Sequence, residues 1–378
     1  MQAANILDPR LYAEVRKPLD EAQALPSWCY TDADFYRQEL DHIFLRQWTL
    51  LGREEELPRA GDYRVFDRYG QSMILIREKS GKLGGFMNYC RHRGTRLLDG
   101  SGNAKAIVCP YHSWSYGTSG QLLATPGMND LKCFEKSDWG LVPVRVETWA
   151  GFVFVNFDKD AAPLAAQVGD FDELFAGHAF GSMRMTRKIE YTLDCNWKLF
   201  VENAMEDYHT PTVHKGSIGL QQTNTISPKS GEWSAIYMEC DGTIGILPGE
   251  TSTFPAIATL GEEARRRSYF ALLFPAMFLG VTTDCMWYLN SIPTGPKTML
   301  LEVCSCFPES TISRPDFAET VQKYYRRWDK SIPEDNAISE RQQLGLNLYH
   351  GPSGRLSLRE PVVHTIANWV LDKLPAAN

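Results

Sequence analysis

The sequence predicts an α+β protein: a small all-β unit inserted in a larger domain that has a central antiparallel sheet flanked by helices. Three observations predict it. Between Tyr63 and Phe157, short β-branched and aromatic runs alternate with turn residues. On both sides of that stretch, apolar residues recur at helical spacing. Between Tyr269 and Phe307, strand-like runs follow one another with no helical pattern between them. At roughly 150 residues per domain, the 378 residues allow two domains. Residues 1–45 are expected to be the N-terminal helical part of the larger domain, 46–158 the all-β unit and 159–378 the rest of the larger domain.

The elements follow in order. Thr31 and Asp34 are spaced as a capping box, and Phe35, Leu40, Ile43 and Phe44 give an apolar helical stripe. Val65–Phe66, Met73–Ile76, Phe86–Tyr89, Ile107–Val108 and Phe152–Phe157 read as strands, punctuated by turns such as Gly100-Ser-Gly102. Ile189–Leu193 alternates like a strand, after which Trp197, Phe200, Val201 and Ala204 recur at helical spacing. Tyr269–Phe278, Met286–Asn290 and Met299–Phe307 read as consecutive strands. Phe317, Val321, Tyr324 and Trp328 mark a helix. Pro333 is expected to begin a separate one running to Leu348, with Ser331 and Glu334 as its capping box. A last helix covers Glu360 to Leu374.

Composition removes several function classes. The charge balance of 39 basic against 46 acidic residues gives −7, the wrong sign for a phosphate-neutralising nucleic-acid binder. The most apolar stretch, Tyr269 to Val281, is interrupted by Pro275 and too short for a membrane span, which needs about 20 residues. The first residues show no basic segment followed by an apolar core, so no secretory signal is expected. Nine scattered cysteines without a framework then suggest free thiols in a reducing, cytoplasmic compartment.

Two stretches carry chemistry. Cys90-Arg-His92 and Cys109-Pro-Tyr-His112 are separated by 16 residues, and each follows a predicted strand, so two loop tips can converge. Two thiolates and two imidazoles suit either structural zinc or an iron–sulfur cluster. The second stretch runs from Asn196 through Glu206, Asp207 and His209 to His214. On a straight helix the two histidines would point about 140° apart. Pro211 argues against a continuous helix there, and a break lets both imidazoles face one point. Two His and one carboxylate with open positions are the ligand set of non-haem Fe(II) oxygenases.

The spacing C-x-H, sixteen residues, C-x-x-H resembles the Rieske signature, and Arg91, Arg93, Gly94, Pro110, Tyr111 and Trp114 match its flanks. With acid-x-x-His-x-x-x-x-His downstream, nearly the whole chain resembles the catalytic alpha subunit of Rieske non-haem iron oxygenases, the aromatic-ring-hydroxylating oxygenases. The resemblance implies that Cys90 and Cys109 hold one iron of a 2Fe–2S cluster and His92 and His112 the other. It implies that His209 and His214 bind a mononuclear Fe(II), with O2 as co-substrate. It makes Glu206 the bridging acid between that iron and the cluster of a neighbouring subunit in a homotrimer, with Asp207 the competitor for the role. Many members have Asp there; the Glu variant looks more like the carnitine-type monooxygenases. Asp335, eight residues before Gln343, matches the family's late metal-binding acid, and Glu334 reads as a helix cap.

The resemblance further implies mono- or dioxygenation of a small organic substrate, with electrons from a separate NAD(P)H-dependent reductase and sometimes a ferredoxin. No G-x-G-x-x-G follows a strand in this chain. The aromatics from Trp233 to Trp287 read mainly as strand core, a minority of them as pocket wall. Quaternary ammonium oxidation is slightly favoured over hydroxylation of an aromatic acid or ring. A Rieske-fold electron carrier or a zinc-stabilised binding protein is the alternative of another class. His42, His178, His350 and His364 are assigned no chemistry.

Overall fold

The structure, a computed structural model, describes residues 6–128, 130–251, 253–348 and 353–375; His350 lies outside them. The chain is α+β and forms two compact units. One is Leu45–Leu164; the other joins the residues up to Phe44 with those from Ala165 onward.

The first unit is all-β apart from short 3-10 turns. Its seven-stranded antiparallel sheet has the spatial order Thr49–Arg53, Phe152–Asn156, Pro143–Trp149, Leu83–Met87, Gln71–Arg77, Asp62–Arg68, Ser101–Asn103. A second sheet joins Ile107–Val108, Ser115–Tyr116 and Leu122–Ala124. Ile74, Ile76, Phe86, Ile107, Trp114 and Tyr116 are buried with Cys90 and Cys109, so the two thiols belong to a hydrophobic core.

The second unit is built on a seven-stranded antiparallel sheet. Its spatial order is Met183–Leu193, Thr298–Pro308, Met286–Gly295, Met277–Val281, Arg267–Leu273, Trp233–Glu239, Asn224–Ile226. The expected strand Tyr269–Phe278 is two strands here, because Pro275 has no N–H for the ladder and lies in the turn between them. Alternation along the paired strands puts Ile236, Phe270, Phe278, Gly280, Trp287 and Leu289 on one face. The long helix Phe317–Leu346 packs on that face. Trp328 lies over Gly280, where a Cβ would come within 3.3 Å of its ring, and meets Trp287 at 4.8 Å between centroids.

Two further expectations are corrected. Pro333 does not begin a helix: Phe317–Leu346 runs straight through it. Burial of Trp328 and Ile332 before the proline and Asn336 after it offsets the lost backbone bond. Among the described residues the N-terminal region is mostly turns; its one α-helix, Ala33–Glu39, is capped by Asp32 rather than Thr31. The Asp32 carboxylate accepts from the Asp34 and Phe35 amides, while the Thr31 hydroxyl turns back to donate to the Ser27 carbonyl at 3.1 Å. This segment is anchored through Glu39, fully buried and 2.5 Å from the buried ammonium of Lys198. The last helix is Pro361–Lys373, and His364 Nε2 lies 3.0 Å from the Val15 carbonyl oxygen.

On the sheet's other face, His178 sits among Phe175, Phe180 and Tyr269, with no well-formed hydrogen bond at either ring nitrogen. Burial lowers its pKa to about 4, opposed only in part by the Phe175 backbone. The unfolded chain protonates this imidazole near pH 6.5; the native state resists until about pH 4. Stability is therefore lost as pH falls through that window, by up to roughly 3 kcal/mol. Melting curves of wild type and His178→Phe should diverge below pH 6.5, with wild type falling faster. Parallel curves from pH 7.5 to 5 would show that His178 is not held neutral.

Candidate active site

The cluster loops repeat one device. Cys90 N–H donates to the Thr95 carbonyl at 2.8 Å and Gly94 N–H to the Cys90 carbonyl at 2.9 Å; Cys109 N–H donates to Trp114 at 2.8 Å and Ser113 N–H to Cys109 at 3.1 Å. Gly94 and Ser113 turn each loop with φ of 76° and 59°. The thiols are buried, while the imidazoles lie nearer the surface, their centroids 4.8 Å apart. His92 stacks on Trp114 at 4.9 Å and His112 on Tyr111 at 3.8 Å. Burial raises the Cys90 pKa; hydrogen bonds from Tyr116 and the His92 amide pull against it, and the Cys109 sulfur adds to it. Burial, then the neighbouring His112 and Arg93, lowers His92, which favours the neutral imidazole that binds metal. His112 Nδ1 is buried with no hydrogen-bond partner. Two converging thiols and two imidazoles, one with an orphaned nitrogen, fit a cluster ligated by Cys2His2.

The second constellation lies in the other unit. Helix Trp197–Ala204, capped by Asn196, ends at Met205, and the chain breaks before the short turn Thr210–Val213. That break brings His209 Nε2 and His214 Nε2 to 3.3 Å from each other. Asp335 Oδ1, from the long helix, lies 3.5 Å from the first and 3.0 Å from the second. These three residues form a group whose donor atoms all lie within 4.8 Å of one another. Their other polar atoms are engaged in turn. Glu206 Oε1 is 2.5 Å from His209 Nδ1, Glu334 Oε2 is 2.7 Å from His214 Nδ1, and Asn203 donates to Asp335 at 2.9 Å. Burial opposes protonation of His209, but Asp335 and Glu206 raise it to about 9. Burial pushes Asp335 up, and the two imidazoles nevertheless hold it below its usual value. Both effects are those of an imidazole–carboxylate pair; two imidazole nitrogens and one carboxylate are also the donor set of a divalent cation, which binds the neutral imidazoles.

Glu334 is therefore not a helix cap: it orients His214 and also accepts from Ser217 Oγ at 2.5 Å. Asp207, the competitor of Glu206, is held by Arg359 at 2.5 Å and by the Thr223 amide at 2.7 Å. A cavity opens beside the triad, walled by Ile236, Phe270, Phe278 and Leu289 of the sheet and by Phe200 and Trp328. Of the aromatics from Trp233 to Trp287, Phe270 and Phe278 line it. Arg327, on the same wall, went unnoticed in the sequence, where Arg326-Arg327 reads as an ordinary solvated pair. It is 3% exposed, and burial lowers its pKa to about 10, leaving it charged at neutral pH.

Among the described residues, no helix is long and apolar enough to cross a membrane, and all nine cysteines are free. A cluster-binding β unit and a catalytic unit with a facial His-His-Asp group define the Rieske-type oxygenase class. Residues 47–135 match the Rieske [2Fe-2S] domain and residues 180–376 the ring hydroxylating alpha subunit (catalytic domain). The chain belongs to this ring-hydroxylating alpha-subunit family: it is an oxidoreductase that uses a Rieske cluster, a mononuclear iron and O2. That sets aside the electron-carrier and zinc-protein alternatives. It is 29% identical over 361 residues to choline monooxygenase of Arabidopsis thaliana, covering 92% of this chain and 82% of that one. It is 29% identical over 332 residues to the carnitine monooxygenase oxygenase subunit of Escherichia coli, covering 86% and 85%. Biphenyl 2,3-dioxygenase subunit alpha of Rhodococcus jostii is 36% identical over 210 residues, 53% of this chain and 45% of that one. The fold is similar to the quaternary ammonium Rieske monooxygenase CntA, with a TM-score of 0.80 and 24% identity over 94% of this chain and 96% of that one. It is also similar to naphthalene 1,2-dioxygenase, with a TM-score of 0.77 and 20% identity over 98% and 95%. The family generally works with a reductase or ferredoxin and forms trimers.

Tyr116 Oη lies 3.3 Å from Cys90 Sγ. Hydrogen bonds to cluster sulfurs stabilise the more electron-rich reduced state. Tyr116→Phe should therefore lower the cluster potential by about 20–60 mV, the equivalent of one ordinary hydrogen bond. A redox titration checks this; an unchanged potential would mean that the hydroxyl does not reach a ligand sulfur.

Proposed function

We propose that this chain hydroxylates or oxidatively demethylates a small organic substrate seated in the cavity beside His209, His214 and Asp335. These three residues would hold the mononuclear Fe(II), and Cys90, His92, Cys109 and His112 the cluster. The observation that carries the reading is the convergence of three donor atoms at the head of a largely apolar cavity. Iron held there supplies reductive activation of O2: one oxygen atom enters a C–H bond and the other leaves as water, with two electrons and two protons delivered.

The chain's own residues prepare that event. Glu206 and Glu334 fix the tautomer of His209 and His214 by accepting from Nδ1, which aims both Nε2 atoms at one point. Glu206 would also carry the electron path from a neighbouring subunit's cluster in a homotrimer, since Asp207 is fixed by Arg359. The sheet-face rings exclude water and orient the substrate. Electrons would come from a separate NAD(P)H-dependent reductase, with or without a ferredoxin, in the cytoplasm, a setting that the seven cysteines outside the cluster, none in a disulfide, support.

The first substrate reading is a quaternary ammonium compound. Relatives that match along most of this chain carry choline and carnitine in their names, and aromatic walls attract such cations. An aromatic acid is the second reading, favoured by the flat apolar floor of Ile236, Phe270, Phe278 and Leu289. Oxygen uptake by the reductase-coupled enzyme with carnitine, choline and benzoate tests both; uptake with none of them would remove this substrate range.

The metal assignment has its own test. Asp335→Ala should lose about one iron per chain while the visible absorption of the cluster remains. Glu334→Ala should keep the site but weaken iron binding about 10- to 100-fold. Glu206→Gln should keep both metals while turnover collapses. Retention of mononuclear iron in Asp335→Ala, seen by iron analysis, would overturn the ligand set.

A further inference from the structure

The reading above leaves a buried cation unexplained. Arg327 lines the substrate cavity, two helical turns before Asp335 on the same helix, and also a second pocket that includes Ile244 and Asp241. Its Nε donates to the Ile244 carbonyl at 2.6 Å, and its guanidinium lies 5.0 Å from the Trp328 ring. Among the described residues no carboxylate pairs with it, and no acceptor engages its terminal nitrogens. Asp335 attracts it only from beyond ion-pair distance, and a buried charge without a contacting counter-charge is costly, so such a site calls for an anion.

Its neighbours point the same way. Trp328 Nε1 and Ser331 Oγ are both buried with no hydrogen-bond partner, and both residues line the same cavity. The steps from Arg327 to Ser331 and to Asp335 are four and eight residues, about 40° and 80° around the helix, so all three share one face. The cavity is thus polarised along the helix. Donors and a cation stand at the Arg327 end; Asp335 and Glu206 stand at the other. Guanidinium, indole N–H and hydroxyl are the donor set of a planar, bidentate anion.

We propose that Arg327, with Trp328 Nε1 and Ser331 Oγ, forms a carboxylate-binding subsite that restricts the substrate to small organic acids. This rests on the reading of His209, His214 and Asp335 as the iron site, toward which the reacting carbon would point. A trimethylammonium carboxylate and an aromatic carboxylate share the required group. The first uses both poles of the cavity. An uncharged arene or an amino alcohol such as choline supplies nothing for Arg327.

The test compares matched ligands on the iron-loaded enzyme, by calorimetric titration under anaerobic conditions and separately by oxygen uptake. Carnitine is paired with choline, and benzoate with benzamide. The carboxylate of at least one pair should bind about 30-fold or more tightly than its partner. Arg327→Gln should erase that preference, Arg327→Lys should restore part of it, and Ser331→Ala should reduce it, all at unchanged iron content and circular dichroism. If Arg327→Gln fails to fold, the matched pairs on wild type and Ser331→Ala decide alone. Equal binding within both pairs, or a preference for the members without a carboxylate, would overturn the subsite. Substrate-dependent oxygen uptake with choline or benzamide would then leave the oxygenase reading standing, whereas loss of iron or of all uptake would count against that reading instead.

Discussion

The catalytic unit depends on holding two imidazole nitrogens and a carboxylate oxygen together at a buried point. His209 Nε2 and His214 Nε2 stand 3.3 Å apart, with Asp335 Oδ1 beside them. Each of these groups is clamped from behind by a carboxylate or an amide: Glu206, Glu334 and Asn203. Without the clamps, side chains from segments about 120 residues apart in sequence would have to be ordered by the cation alone. With them, much of the ordering entropy is met during folding by hydrogen bonds that do not involve the metal.

That requirement accounts for the local architecture. The helix carrying Phe200 and Asn203 stops at Met205 so that the next nine residues can turn two imidazoles inward. The long helix continues through Pro333 because it must present Arg327, Ser331, Glu334 and Asp335 in one rigid register. A break at the proline would uncouple the Arg327 end of the cavity from the Asp335 end. Gly280 lets Trp328 settle against the sheet, which sets the height of that helix above the floor made by Phe270 and Phe278.

Legibility in the sequence followed the range of the interaction. The Cys90–His92 and Cys109–His112 pairs stand out because each is local and its residue types are rare. His209 and His214 stand out for the same reason, with Pro211 signalling the break. Asp335 needed the family resemblance, since no local rule links it to a histidine so far upstream. Glu334 was misread because its spacing from Ser331 imitates a capping box, and a proline beside it is a legitimate helix start; only packing keeps the helix going. The strand through Pro275 was drawn too long for the opposite reason, its apolar run masking the turn. Arg327 left no signal by itself, but the i, i+4, i+8 series Arg327, Ser331, Asp335 places three polar residues on a face otherwise carrying Tyr324, Trp328 and Ile332. A polar stripe inside an apolar face is the pattern that marks a lined cavity.

The two ends of that stripe constrain each other. An α-helix rises about 1.5 Å per residue, so Arg327 and Asp335 start about 12 Å apart along the axis. The guanidinium reaches outward on a long side chain, whereas the Asp335 carboxylate is short and fixed by two imidazoles and Asn203. A molecule spanning from one to the other is therefore measured by the helix. Too short an acid reaches Arg327 only by leaving the iron, and too long a one must bend against Phe270 and Phe278. A rigid helix across the proline thus does more than supply a ligand: it couples recognition of a charge at one end of the substrate to the position of the carbon at the other.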